Sequence, residues 1–233
     1  MSYYDMMSEY QMAHEAVMKN KKAINTRRIY ILINTLFWTA TALPIAFLVL
    51  FRQERSLSLG EIAITTGIYS LTILLLEIPS GALADRLGRK RITLWAYGLR
   101  AVTGIVTIRA FSLGAFIFSG ILYGAGRALV SGALEAWFID TLKSSDPEMD
   151  IHPFVARAGV FELAGLAAGT AAGGAIATIL SRTAGASWGN RLLHLPGFSR
   201  PLSEILSPYA SVIGLSVILH LVTAIVLVIL VKE

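Results

Sequence analysis

Six predominantly apolar runs follow one another along the chain, at about 29–51, 62–84, 92–111, 115–139, 154–180 and 208–231, with mostly short polar interruptions. A hydrocarbon core about 30 Å thick takes about 20 residues of helix, so each run predicts a membrane span. Together they predict an all-α integral membrane protein, a six-transmembrane-helix bundle. The polar stretch 1–27 ahead of the first run predicts a cytosolic amphipathic helix. That first run is long, contains Pro44 and lacks a small-residue cleavage site, so it reads as a retained span and not as a signal peptide. The longest interruption, about 181–207, holds Trp188, Gly189, Pro196, Gly197 and Pro201 and predicts a short interfacial element.

Composition narrows the class. Hydrophobic residues make up 55% of the 233 and charged residues 15%. Soluble domains carry about 25% charged residues, so a soluble globular enzyme is excluded, and so apolar a chain would collapse, which excludes disorder. With no cysteine the chain has no disulfide, thiol nucleophile or Cys-based zinc site. The four histidines, His14, His152, His194 and His220, are scattered, and no metal or other cofactor is expected. The net charge of +5 finds its reason in topology. Eleven Lys and Arg fall on the side that holds the N-terminus and the 85–91 loop, against six on the other. By the positive-inside rule both termini are then cytosolic, in the plasma membrane, and the basic residues face anionic headgroups. A nucleic-acid partner is not expected.

Between the second and third runs stands EIPSGALADRLGRKRITLW. Gly81, Asp85, Arg86, Gly88, Arg89 and Lys90 occupy every fixed position of the pattern G-x-x-x-D-R-x-G-R-K. Read physically, Asp85 ends one span and Arg86, Arg89, Lys90 and Arg91 begin the next. Gly81 and Gly88 allow close helix approach and a turn with positive φ. Asp85 can accept from Arg89, and Asp140, at the end of the fourth run, is a second partner for it.

This loop resembles the signature loop of the major facilitator superfamily, in the place where that family has it. SGALEAWFID in the fourth run is similar to a segment common in its drug-efflux-like members. The resemblance spans about 28–231 and implies the amino-terminal half of that fold, two inverted three-helix repeats. It implies secondary active transport of a small molecule, as proton-coupled efflux, and a latch formed by Gly81, Asp85, Arg86, Gly88, Arg89, Lys90 and Asp140 that opens during alternating access. GLAAGTAAGG in the fifth run is close to the family's antiporter motif but has Thr170 where that motif has proline. Threonine neither fixes φ nor kinks a helix, so Gly165, Gly169, Gly173 and Gly174 read first as a small-residue packing face.

Ionisable residues inside spans cost about 2.5–3.5 kcal/mol each on insertion scales and usually mark pathways. Here they are Glu77, Arg100, Arg127, Glu135 and Glu162. At 1.5 Å per residue, Glu77, Arg100, Glu135 and Glu162 lie at a similar depth, about 6–12 Å from the cytosolic face. Pairing among them, with the carboxylates as proton carriers, is the expectation. Arg127 is expected as their counter-ion or as a contact to an anion. Arg127, Ser131 and Glu135 share one helix face, and Asn34, Trp38 and Thr41 do so on the first span. These are candidates to line a cavity.

Family members usually have twelve spans, with the cavity between two six-helix halves. A six-span chain therefore predicts a second half or a homodimer as partner, besides the bilayer and the small-molecule substrate. The rival expectations are a non-transporting scaffold or a truncated remnant. A remoter one is a rhomboid-like intramembrane serine protease, with Ser131-Gly132 on the fourth span and His220 on the sixth. Leu129 stands where that family's G-x-S-G pattern needs glycine.

Overall fold

The computed structural model describes residues 3–144, 146–184 and 207–231. The described residues form helices and no strand: α1 (Tyr3–Ala42), a 3-10 turn (Ile45–Phe47), α2 (Leu48–Glu54), α3 (Leu59–Leu87), α4 (Arg89–Ile108), α5 (Leu113–Lys143), α6 (His152–Ala184) and α7 (Pro208–Leu230). The interfacial element expected over about 181–207, with Trp188, Pro196 and Pro201, lies outside the described residues apart from its ends.

Five described segments are long and apolar enough to cross a bilayer: Ala23–Glu54, Leu59–Leu87, Leu113–Lys143, His152–Arg182 and Pro208–Leu230. The expected third span, α4, has the length at 20 residues but is too polar to join them. Its first turn is Arg89-Lys90-Arg91, and Arg100 sits in its middle. It packs antiparallel to α7. Lys90 reaches the last turn of α7, while Gly104, near the other end of α4, meets Ile213 and Val217.

The polar N-terminal stretch, expected as an amphipathic helix, is helical and continuous with the first span: α1 runs unbroken from Tyr3 to Ala42. The first span, conversely, is not one helix. It breaks at Leu43-Pro44 and resumes as the 3-10 turn and α2. Pro44 has no N–H to give to the Ala40 carbonyl, and its ring crowds that oxygen. Ser216 of α7 supplies the missing donor at 2.6 Å.

α1 packs against α6 and α7, α5 packs against α3 and α4, and α4 against α7. Glycines set the closest crossings. A Cβ at Gly165 would stand 2.8 Å from the Thr35 carbonyl, and at Gly169 and Gly173 it would press still closer on the Thr39 and Leu43 carbonyls of α1. Gly120 and Gly124 of α5 seat the same way on Thr65, Tyr69 and Thr72 of α3. This is the close backbone approach that small residues give membrane helices. One buried cluster joins Ile33, Phe37, Tyr97, Phe138 and Leu227 towards the 85–91 end; another joins Phe47, Phe51, Phe116 and Val212 at the far end. Outward, Leu71, Leu74, Leu75 and Ile78 of α3 are exposed, as a lipid or protein face requires.

Candidate functional site

Two polar assemblies stand out, one at the 85–91 end and one inside the bundle. At the end, α3 closes on Gly88, which takes φ 93° and serves as the C-cap of α3 and the N-cap of α4. A side chain at that φ is strained, so the glycine permits the sharp reversal. The turn places Asp85 and Arg89 one helical step apart. Arg89 Nη2 lies 3.4 Å from Asp85 Oδ1 and Nη1 lies 2.6 Å from Asp140 Oδ2, in the last turn of α5.

All three charges sit at helix ends whose dipole opposes them: a cation at the N-terminus of α4, anions at the C-termini of α3 and α5. Each is poorly placed alone, and the trio offsets that cost by pairing. Lys90 points elsewhere. Its Nζ donates to the Val228 carbonyl at 3.2 Å and to the Val231 carbonyl, capping the end of α7 where a cation is favourable. Arg86 is exposed. Gly81 lies within α3 with open space where a Cβ would stand, so the close approach expected there does not occur in this bundle.

Inside the bundle, the stripe on α1 meets a different helix at each step. Asn34 Nδ2 donates to Glu162 Oε2 of α6 at 3.4 Å. The Arg127 guanidinium of α5 stands over the Trp38 ring at 4.9 Å. Thr41 accepts from Arg100 Nη2 of α4 at 2.7 Å and faces His220 Nε2 of α7 at 3.4 Å. Asn34 and Thr41 are buried in these helix contacts and do not line an open cavity. Ser131 turns back on its own helix, donating to the Ala128 carbonyl, which also accepts from Ser80 of α3.

The pairing expected among Glu77, Arg100, Arg127, Glu135 and Glu162 is absent. Both ion pairs among the described residues belong to Arg89. Glu77 and Glu135 are exposed, and Glu162 is half-buried. Arg100 is 3% exposed and takes neutral partners: Thr41, the Tyr123 hydroxyl at 2.9 Å, and the Tyr123 ring 3.7 Å below its guanidinium. The reason is angular. Equal depth along parallel helices does not bring side chains together unless they also point towards one another.

The sequence reading missed Tyr123 and Ser216 and considered His220 only as a partner for Ser131. The structure gives Ser131 and His220 different partners, so these two form no serine–histidine pair of a protease kind. The available signal was spacing: Ser216 and His220 lie one helical step apart, as do Tyr123 and Arg127.

Among the curated proteins none matches the chain. The family model described as Major Facilitator Superfamily matches residues 30–233, which takes in the spans and the Asp85-Arg89-Asp140 cluster alike. The chain belongs to the Major Facilitator Superfamily, a family of membrane proteins that transport small molecules.

Proposed function

We propose that this chain forms one half of an alternating-access carrier, six spans in two inverted three-helix repeats, that moves a small molecule outward against a proton gradient. α4 is then the third span. Its polar first turn lies at the cytosolic face, and Arg100 is hidden in the bundle interior. The partnerships of the helices support the repeat. Exchanging α1 with α5, α3 with α6 and α4 with α7 maps the set of main contacts onto itself.

The observation that carries the reading is the ion pair between Arg89 and Asp140, at 2.6 Å, which joins the first repeat to the second. Broken and re-formed, it is a latch at one end of the bundle, with Asp85 as the alternate partner of Arg89 on its own repeat. Arg86 and Lys90 complete the basic edge at the plasma membrane's cytosolic face, where both termini lie.

Glu77 points to a second six-helix unit. It is exposed between Leu74 at 68% and Ile78 at 84% exposure, and a carboxylate facing lipid there costs about 2.5–3.5 kcal/mol. A facing half or a second copy gives Glu77 and Glu135 a protein or water-lined surface. Glu77, Glu135 and Glu162 are then the proton carriers, and Arg127 the contact for an anionic group or for a carboxylate in another state.

Everted membrane vesicles from cells expressing the full chain test this directly. Under an imposed proton gradient they are expected to accumulate a fluorescent amphipathic dye. Asp85→Asn and Arg89→Ala should abolish uptake while the protein stays folded in the membrane. Glu135→Gln or Glu162→Gln should separate uptake from the gradient. Absence of any flux, with a membrane partner co-purifying, would overturn the carrier reading in favour of a scaffold.

A further inference from the structure

The break in α1 is held by a hydrogen-bond chain whose direction is fixed from one end to the other. The imidazole of His220, 3% exposed, has Nδ1 2.8 Å from the Ser216 carbonyl of its own helix. A carbonyl only accepts, so Nδ1 carries a hydrogen. In the neutral ring Nε2 is then a lone pair, and it faces Thr41 Oγ1 at 3.4 Å. That hydroxyl already accepts from Arg100 Nη2 at 2.7 Å, so its own hydrogen is available for His220. The sequence is Arg100 to Thr41 to His220 to the Ser216 carbonyl, and it links α4, α1 and α7. The Ser216 hydroxyl, 3.5 Å from the same Nδ1, donates to the Ala40 carbonyl at the break at 2.6 Å.

The surroundings offer nothing to offset a second positive charge. From α1, His220 meets Phe37 edge-on at 5.6 Å, together with Thr41. From α4 comes Arg100, whose Nε and Nη1 find no oxygen among the described residues. α5 contributes Tyr123, which engages the same guanidinium. On α6 the carboxylate of Glu162 is bonded to Asn34, seven residues along α1 from Thr41. On α7 itself the polar neighbours are Ser216 and Thr223, neither of them ionisable near neutrality. An imidazolium here would face Arg100 across a single oxygen with no carboxylate to offset it.

We propose that His220 is a proton-binding site whose neutral, Nδ1-protonated form clamps the break in α1, and that a proton taken up at Nε2 releases the clamp. The proton adds to the Nε2 lone pair and no covalent bond breaks. What is lost is the hydrogen bond from Thr41 beside the break, and the imidazolium then faces Arg100 across that one oxygen. The inference deepens the carrier reading and rests on it. It gives the bundle a proton-sensitive joint distinct from Glu77, Glu135 and Glu162.

The test has two parts, neither of which involves flux, so the carrier reading stands or falls separately. In the full chain with nitrogen-15 histidine, in lipid discs, NMR reads the tautomer of His220, identified by the signal lost in His220→Gln. A single Nδ1–H tautomer at neutral pH is expected; an Nε2–H tautomer or an imidazolium at neutral pH overturns the proposal. In parallel, the absence of native cysteine allows one reporter, Ala40→Cys, at a fully buried position. Its labelling by a small thiol reagent is normalised to Ile45→Cys, which is exposed, at each pH.

On acidification the ratio should rise about fivefold or more as the imidazolium signal of His220 appears. The rise should vanish in the His220→Gln background. Should that variant not fold, Thr41→Val serves, and its reporter should label at neutral pH already. A titrated His220 with an unchanged label ratio, an equal rise without the imidazole, or a His220 that stays neutral down to the lowest pH at which the bundle remains folded also overturns it.

Discussion

Ser216 donates its hydroxyl hydrogen to the Ala40 carbonyl at 2.6 Å, and that oxygen is the one Pro44, four residues on, cannot bond. A backbone defect on one helix is thus satisfied by a side chain from another. The break in α1 is therefore a property of the α1–α7 contact as much as of the proline.

Ser216→Ala is expected to destabilise the bundle by about 1–3 kcal/mol, the cost of leaving a buried carbonyl unpaired. The cycle with Pro44→Ala identifies the cause. An alanine at position 44 restores the N–H, so in that background removal of the hydroxyl should cost little. Thermal unfolding of the four proteins in one detergent measures the coupling, and additive effects would break the link drawn between the two residues.

The glycines of α6 are expected to divide sharply from others in the chain. Gly165→Ala places a methyl 2.8 Å from a backbone oxygen of α1, which cannot rotate away, and should cost about 1–3 kcal/mol. Gly132→Ala and Gly159→Ala meet nothing within 4 Å and should be neutral or slightly stabilising. Yield and melting temperature of the folded protein separate the two sets.

Arg100 offers a graded series. Tyr123→Phe removes one hydrogen bond to a buried cation and should cost about 1.5–3 kcal/mol, while the ring beneath the guanidinium stays. Tyr123→Leu also removes the ring and should cost about 1–2 kcal/mol more. Equal losses in the two variants would mean that the aromatic face contributes nothing.

At the latch, stability and switching should part company. Asp140 is largely exposed, so Asp140→Asn is expected to cost no more than about 1 kcal/mol in unfolding. Its effect should appear in the distance between spin labels on α3 and α5 beside the Gly88 turn, which should broaden or shift. A variant with unchanged distances but lost transport would place Asp140 outside the latch.

Lys90→Met keeps most of the stem and removes the two bonds to the end of α7. Hydrogen exchange should quicken in the last turn of α7, with the middle of that helix unaffected. Uniform loosening of α7 would show that Lys90 holds the whole helix and not its cap.

How much of this was legible in the sequence depends on which physical variable each feature needs. The long helices were readable because an apolar run of span length has few alternatives. The Asp85-Arg89-Asp140 cluster was readable because all three positions lie at helix ends on one side. Two prolines show the limit. Pro44 breaks its helix and Pro79 does not; α3 runs through it to Leu87. The chemistry of the two residues is identical, and at Pro44 the partners across the contact, Ser216 and Gly173, accommodate the freed carbonyls. The buried charges show another. Counting residues gives depth, but pairing needs azimuth as well, and azimuth comes from packing. That is why Glu77 and Glu135 stand outward while Arg100 finds hydroxyls.

The unbroken run of α1 makes the stretch ahead of the first span a lever. Its 20 or so leading residues extend about 30 Å beyond the apolar part, and a tilt of about 10° at the membrane would sweep the tip through about 5 Å. A movement of the helix at Thr41, beside the break at Pro44, would thereby be magnified at its far tip. A dye fixed near Tyr10 turns that helix into the pointer of a gauge.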